Sequence, residues 1–550
     1  MTSSDTGLDS ATDAEATVPE PDLQAAAAAI EAADRVVRAA TRKLAETSSI
    51  DADQVLAYDV AHAAAAVETA RATLDYGAKG PVEGALTCVF VADVVAELGA
   101  RLWGRDSLWG IGPDALADTT DFVSTWRDPA VLSAMAFDAG PRHLDDDFEL
   151  VEDTFRRFAT DQVAPVAEHI HRHNTDIPED LISGLGEMGL FGLSIPEEYG
   201  GFATGGESDY YGMVIATEEL SKASLGAAGS LITRPEILAR ALEAGGTEAQ
   251  KRHWMPRLAS GEIMAAVAVT EPDYGSDVAG VKVAATPAPP DHAAGDGWLV
   301  NGVKTWCTFA ARADILMLIA RTDPDRSKGH RGLSILIVPK ERADGEGFKL
   351  TQPGGGTLEG RPIDTLGYRG MHSYELAFDD YHVPADHLIG GEDGQGRGFY
   401  YQMAGFENGR LQTAARAIGV MQAAYDAACA YATDRVVFGQ PIGDYELTRA
   451  KLTRMAALIQ ASRQFAYSVG RQMAKGEGKM EASMIKAYVC KAAEWVTREA
   501  MQIHGGMGYA EEYPVSRYFV DARVLSIFEG ADETLCLKVI ARSLVNSIDG

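Results

Sequence analysis

Between residues 266 and 392 the chain changes period, from helical spacing to runs of β-favouring residues, and it changes back afterwards. The segment WLVNGVKTW (298–306) reads as two short strands about Asn301-Gly302, a type I′ hairpin signal. ILMLIAR (315–321), LSILIVPK (333–340) and YELAFDDYHVP (374–384) continue the strand pattern. Residues 146–265 are helical, broken at Ile195-Pro196 and Tyr199-Gly200-Gly201. Residues 393–550 return to long helices, in which Ile485, Val489, Ala492, Val496, Ala500 and Ile503 hold one apolar face until Gly505-Gly506 ends the run. Helices, then strands, then helices is an unusual order, and it predicts an α+β architecture of several domains.

Two segments precede that core. Residues 23–145 are Ala-rich and helical, with Val60, Ala63, Val67, Ala70 and Leu74 at helical spacing, then Val91, Val95, Leu98 and Leu102. They carry no recognisable chemistry and read as a packing or docking domain. Residues 1–22 are acidic and Ser/Thr/Ala-rich, with neither the basic start and apolar core of a secretory signal nor the arginines of a transit peptide. They read as a disordered tail.

A formal charge of −31 argues against binding nucleic acid or anionic lipid, both of which require basic surface. No apolar stretch approaches the roughly 20 residues of a membrane span. The five cysteines (Cys88, Cys307, Cys429, Cys490, Cys536) are scattered, without ligand-like spacing. They suggest reduced thiols in a cytoplasmic protein.

Several motifs fall within residues 146–547. AVAVTEPDYGSDVAG (266–280) runs from an apolar stretch into a Gly275-Ser276 turn, whose N–H groups and hydroxyls could cradle a phosphate or a flavin edge; alone, it is an ordinary strand-to-turn joint. VKTWCTFAA (303–311) offers an aromatic face and a hydroxyl nearby. The glycine-rich GEDGQGRGF (391–399) lacks the βαβ unit and distant acidic residue of a dinucleotide loop. TEPxxGSD followed by NGxKxWxT resembles the acyl-CoA dehydrogenase family, and the resemblance covers about three-quarters of the chain.

That resemblance implies FAD as cofactor. Val269, Thr270, Gly275 and Ser276 match flavin-binding positions, and Ser276 also matches a contact to the pantetheine arm of CoA. Trp306 and Thr308 match the indole and hydroxyl beside the isoalloxazine. DRVVFGQPI (434–442), with Arg435 and Phe438, and QIHGGMGY (502–509), with Gln502, Gly505 and Gly506, match contacts donated by a neighbouring subunit. A homo-oligomer, a dimer or dimer of dimers, is therefore expected, with electron-transferring flavoprotein as the electron acceptor.

Desaturating an acyl thioester requires a base for the α-proton, placed where burial raises its pKa, and an acceptor for the β-hydride, which no side chain provides. LSIFEGADET (525–534) matches the family's catalytic loop, with Glu529 as base and Gly530 allowing close approach to substrate. The earlier helical position that some relatives use for the base is Gly409 here. Glu407 and Arg410, in FENGRLQ (406–412), match substrate-pocket positions, although the two could equally pair with each other on the surface. Ala531-Asp532-Glu533 departs from the Thr-x-Gln that commonly follows the Glu-Gly pair, so flavin contacts there are not carried over.

The extension, the total length and GSLITRP (229–235) resemble a subgroup acting on (2S)-methylsuccinyl-CoA, which implies its oxidation to mesaconyl-CoA in the ethylmalonyl-CoA route of acetate assimilation. A free carboxylate on the acyl group calls for a buried guanidinium, and Arg234 is the candidate, with an ordinary helix-end arginine as the alternative. Other short-chain acyl-CoAs such as butyryl- or isobutyryl-CoA, an acyl-CoA oxidase on the same fold, and a non-enzymatic acyl-CoA-binding scaffold are the competing readings.

Overall fold

The computed structural model describes residues 18–46 and 49–548. Most of the expected tail therefore lies outside the described residues. Asp22 opens the first helix, its carboxylate accepting from Gln24 N–H and Ala25 N–H at 3.0 and 2.9 Å.

Three long helices make the N-terminal extension: α1 (Leu23–Ala45), α2 (Gln54–Gly77) and α3 (Pro81–Leu102). Their contact faces are dominated by buried alanines, among them Ala26, Ala33, Ala57, Ala61 and Ala92. Such small side chains bring helix axes close together. Two short helices follow, α4 (Thr120–Trp126) and α5 (Pro129–Ala134).

Six helices form the next layer: α6 (Asp146–Phe158), α7 (Ala164–His173), α8 (Glu179–Glu187), α9 (Glu207–Ala223), α10 (Thr233–Gly245) and α11 (Glu248–Ala259). Ser224 begins a π-turn (Leu225–Gly229) that leads into α10 and carries the chain towards the site.

The central sheet has eight strands: β1 (Ala265–Ala268), β2 (Ala284–Pro287), β3 (Gly297–Thr308), β4 (Ile315–Arg321), β5 (Leu333–Pro339), β6 (Phe348–Thr351), β7 (Thr357–Ile363) and β8 (Ser373–Pro384). Its order is β1-β4-β2-β3-β8-β7-β6, with β5 pairing β4. All seven residues of β4 are buried, as its unbroken apolar run requires of an inner strand.

The hairpin expected at Asn301-Gly302 does not form. β3 runs straight through, pairing antiparallel with both β2 and β8. The Asn301 side chain, instead of turning the chain, exchanges hydrogen bonds with Asp380 of β8 at 2.8 and 3.0 Å. Gly302, at φ +128°, borders a β-bulge whose extra residue is on β8, and a Cβ there would come within 2.9 Å of Val283. Pairing along a twelve-residue strand outweighs a local turn preference.

The C-terminal bundle comprises α12 (Gly398–Asp434), a short hairpin of β9 (Val436–Val437) and β10 (Gln440–Pro441), α13 (Glu446–Ala474), α14 (Lys479–Ile503), α15 (Val515–Leu525) and two last short helices, α16 (Asp532–Thr534) and α17 (Ala541–Asn546). The extension lies against α13 and α14. Thr453 donates to the Leu132 carbonyl at 2.6 Å, Gln460 to the Ala139 carbonyl at 2.6 Å, and Arg454 pairs with Asp93 at 2.6 Å.

Candidate active site

Three elements converge on Glu529: the loop between α15 and α16 that bears it, the middle of α12, and the start of α10. Glu529 itself is at φ +53°, a left-handed conformation that is costly for a residue with a side chain. The turn is held from beneath by Lys486 of α14, whose Nζ donates to the Phe528 and Gly530 carbonyls at 2.9 and 2.6 Å. Gly530 follows at φ +101°.

The Glu529 carboxylate faces α12. Its Oε2 accepts from the Thr413 hydroxyl and from Arg416 Nη2, both at 2.6 Å. Arg416 is fully buried, lies over the Phe528 ring at 5.1 Å and also donates to Ser230 Oγ at 3.2 Å. Gly409, one turn earlier on the same face, lies against the carboxylate, and a Cβ built there would sit 3.7 Å from Glu529 Oε2.

Burial pushes the Glu529 carboxyl up, but Arg416, Thr413 and Arg234 together outweigh it and hold the group below the ordinary carboxylate range. The sequence-based expectation of a base raised by its dry pocket is therefore corrected. A guanidinium at hydrogen-bond distance overrides desolvation.

Arg234, in the first turn of α10, is 4% exposed. It donates to the hydroxyl of the adjacent Thr233 at 3.2 and 2.8 Å and to the Thr308 carbonyl at 3.4 Å. No carboxylate among the described residues pairs with it, and burial pushes its pKa down against weak support from Tyr368 and Glu529. Two turns of α12 hold a separate buried carboxylate, Glu236, which accepts from Asn408 and Gln412 and lies 4.0 Å from Arg240. Leaving that pair aside, two buried guanidiniums share a single carboxylate at this site.

The remaining sequence-predicted residues fall into groups. Val269 and Thr270 follow directly on β1; their carbonyls accept from Lys304 Nζ and Thr305 N–H, both at 2.8 Å. Gly275 and Ser276 are exposed on the following turn, and Ser276 Oγ accepts from Thr534 at 2.9 Å, close to the Glu529 loop. A second bulge in β3 puts Trp306 at φ +56° and leaves its indole 56% exposed. Thr308 bonds Ser373 at 3.1 Å.

Glu407 and Arg410 do not pair with each other; each turns to α14, Glu407 to Lys479 at 3.5 Å and Arg410 to Ser483 at 3.1 Å. Arg435, Phe438, Gln502, Gly505 and Gly506 are all exposed. Their two segments are joined by Tyr431 stacked on His504, ring centres 4.3 Å apart. Phe438 is 97% exposed at φ +52°, and nothing lies within 4 Å of a Cβ built on Gly505 or Gly506.

These features suit a flavin. An uncovered indole, glycines with open approach, and a guanidinium and phenyl ring projecting from the surface are what a planar ring and a pyrophosphate require. Sequence reasoning missed Arg416 and Thr413. The available signal was a charged residue on the same helical face as Gly409, seven residues on.

Comparison with known proteins agrees with this architecture. The acyl-CoA dehydrogenase N-terminal, middle and C-terminal domain families match residues 145–262, 266–381 and 396–545. The chain belongs to the acyl-CoA dehydrogenase family and is an FAD-dependent oxidoreductase. Among individual relatives, the (2S)-methylsuccinyl-CoA dehydrogenase of Cereibacter sphaeroides is 43% identical over 409 residues, 74% of this chain and 71% of that protein. The mitochondrial 2-methylacyl-CoA dehydrogenase of Solanum tuberosum is 35% identical over 73% of this chain and 91% of its own length. Butyryl-CoA dehydrogenase from Megasphaera elsdenii superposes with a TM-score of 0.65 at 31% identity, covering 74% of this chain and all of that one.

Proposed function

We propose that this acyl-CoA dehydrogenase oxidises (2S)-methylsuccinyl-CoA to mesaconyl-CoA, with Glu529 as base. The observation that carries this reading is Arg234, a buried guanidinium without a carboxylate partner among the described residues, beside the paired Arg416 and Glu529. A substrate that brings its own terminal carboxylate supplies the missing negative charge. The 43% identity to the Cereibacter enzyme supports the same substrate, as part of the ethylmalonyl-CoA route.

Glu529 removes the α-proton to its carboxylate. FAD, when bound, supplies the acceptor for the β-hydride. The Glu529 N–H would meet charge growing on the thioester oxygen, with Gly530 leaving room for that approach. Val269, Thr270, Gly275, Ser276, Trp306 and Thr308 would hold the cofactor from one chain. Arg435, Phe438, Gln502, Gly505 and Gly506 would reach it from a neighbour, which makes the active form a homo-oligomer. Ser276, Glu407 and Arg410 line the route of the CoA arm. Electron-transferring flavoprotein is the proposed acceptor, and the five unpaired thiols accord with the cytoplasm. No helix among the described residues is long and apolar enough to cross a membrane.

The test is anaerobic mixing of FAD-loaded protein with (2S)-methylsuccinyl-CoA while flavin absorbance is followed. Rapid bleaching, at least about a thousandfold slower in Glu529→Gln, is expected. Bleaching with butyryl-CoA but not methylsuccinyl-CoA overturns the substrate. Stoichiometric peroxide on admitting air, faster than electron transfer to the flavoprotein, identifies an oxidase.

A further inference from the structure

Asp532, three residues beyond Glu529, is 2% exposed and points away from the flavin motifs into the N-terminal extension. Its Oδ2 accepts from the Tyr58 hydroxyl at 2.5 Å and lies 3.1 Å from His62 Nε2. Tyr58 and His62 are one turn apart on α2, their rings in edge contact at 4.7 Å, so they present a single two-pronged donor face. Oδ1 is met by Cys536 Sγ at 3.9 Å, and Lys491 Nζ is 3.9 Å from Oδ2. Burial pushes the Asp532 carboxyl up, but His62, Tyr58 and Lys491 hold it below its ordinary range. His62, Asp532 and Cys536 could in principle converge on a metal ion. The adjacent ammonium and the filled hydrogen bonds leave such a cation no role.

The same residue closes the catalytic loop. Asp532 N–H donates to the Ser526 carbonyl at 3.1 Å, so the two ends of the 526–532 turn are tied together, and Ser526 Oγ is itself held by Glu494. Within that turn Glu529 occupies a left-handed conformation, which persists only where the surroundings over-determine it. Lys486 fixes the turn from below. At its far end the fixing group is the pair on α2.

We infer that Tyr58 and His62 of the extension are positioning residues for the catalytic base: by locking Asp532 they set the turn from which Glu529 reaches the substrate α-carbon. The extension is thereby a working part of the active site. On its other side the pair borders a cavity of about 310 Å³ between α2, α3, α13 and α14, with Trp495 and Tyr488 on its wall. The cavity leaves that side of the two rings less closely packed, while the hydrogen bonds to Asp532 hold the other.

This inference rests on Glu529 being the base, and its test separates the two. Full-length, FAD-loaded Tyr58→Phe, Asp532→Asn and the double variant are mixed anaerobically with (2S)-methylsuccinyl-CoA. The expected result is about tenfold slower bleaching in each, the double variant being no slower than Asp532→Asn, because both changes break one contact. FAD content, substrate dissociation constant and melting temperature stay close to those of the parent. Unchanged rates, losses that track FAD content or melting temperature, or losses that multiply in the double variant overturn the inference. Where Asp532→Asn does not fold, Tyr58→Phe, which removes one oxygen, decides alone. Full-rate latch variants alongside a dead Glu529→Gln overturn the positioning role only. Bleaching that survives Glu529→Gln overturns the base assignment, and the positioning role with it.

Discussion

Arg234 and Arg416 differ in what they touch, and that difference sets what their loss should do. Arg234 meets only a hydroxyl and a carbonyl. Arg234→Ala is expected to lower kcat/KM for methylsuccinyl-CoA by about thirtyfold or more, the usual scale for a buried charge pair, and to leave neutral butyryl-CoA nearly untouched. Equal losses on both substrates sink the clamp. Arg416 holds the base directly at 2.6 Å. With Glu529 depressed, the free protein keeps its carboxylate ionised down to below the ordinary range and loses activity as pH falls through that lowered value. In Arg416→Gln burial prevails, so the acid limb of the kcat/KM profile should move to higher pH. An unmoved limb shows that Arg416 does not set the base. Neither arginine's role was fully legible in the sequence. Arg234 could be proposed because GSLITRP resembles a subgroup motif, whereas Arg416 lies in an ordinary-looking helix, and its partner is 113 residues away.

At the level of elements, local signals were dependable where one element decides its own fate. The apolar runs 315–321 and 333–340 became β4 and β5, and the run ending at Gly505 became α14. Local signals failed where tertiary pairing decides. Asn301-Gly302 is a strong turn dipeptide, yet β2 and β8 flank it on both sides and hold the strand through it. Gly302 is then required for its φ of +128° and for the 2.9 Å approach to Val283, not for a turn. Gly302→Ala should destabilise by about 1–3 kcal/mol, read as a lower melting temperature, with no change in flavin bleaching once the protein is folded. A neutral result means that the bulge relaxes into regular strand.

Across the whole molecule, the extension is bound by more than apolar packing. Arg142, in the connection from α5 to α6, reaches Glu152 at 2.9 Å, Glu218 at 2.8 Å and Glu219 at 2.6 Å, while Arg463 of α13 meets Glu218 from the other side. Deleting residues 1–144 removes that guanidinium and uncovers the apolar faces of α13 and α14. The truncated chain is expected to self-associate, seen as heavy, polydisperse boundaries in sedimentation. A monodisperse, FAD-loaded product shows the cover to be dispensable. Periodicity revealed that residues 23–145 are helical but could not say what they cover. Tyr58 and Asp532 are 474 residues apart, and although Asp532 falls in the catalytic-loop motif, nothing around Tyr58 marks it as its partner.

The ion pair between Arg416 and Glu529 has a kinetic corollary. A resting base that is already engaged must leave its guanidinium before it takes the α-proton, and on the proposed reading a second carboxylate, held at Arg234 beside the pair, would offer Arg416 another partner. Selection of this kind acts after binding. On that reading a neutral thioester should saturate the pocket and still turn over slowly, and no concentration of it should make up the deficit, because what it lacks is the key to the catch rather than a grip on the door.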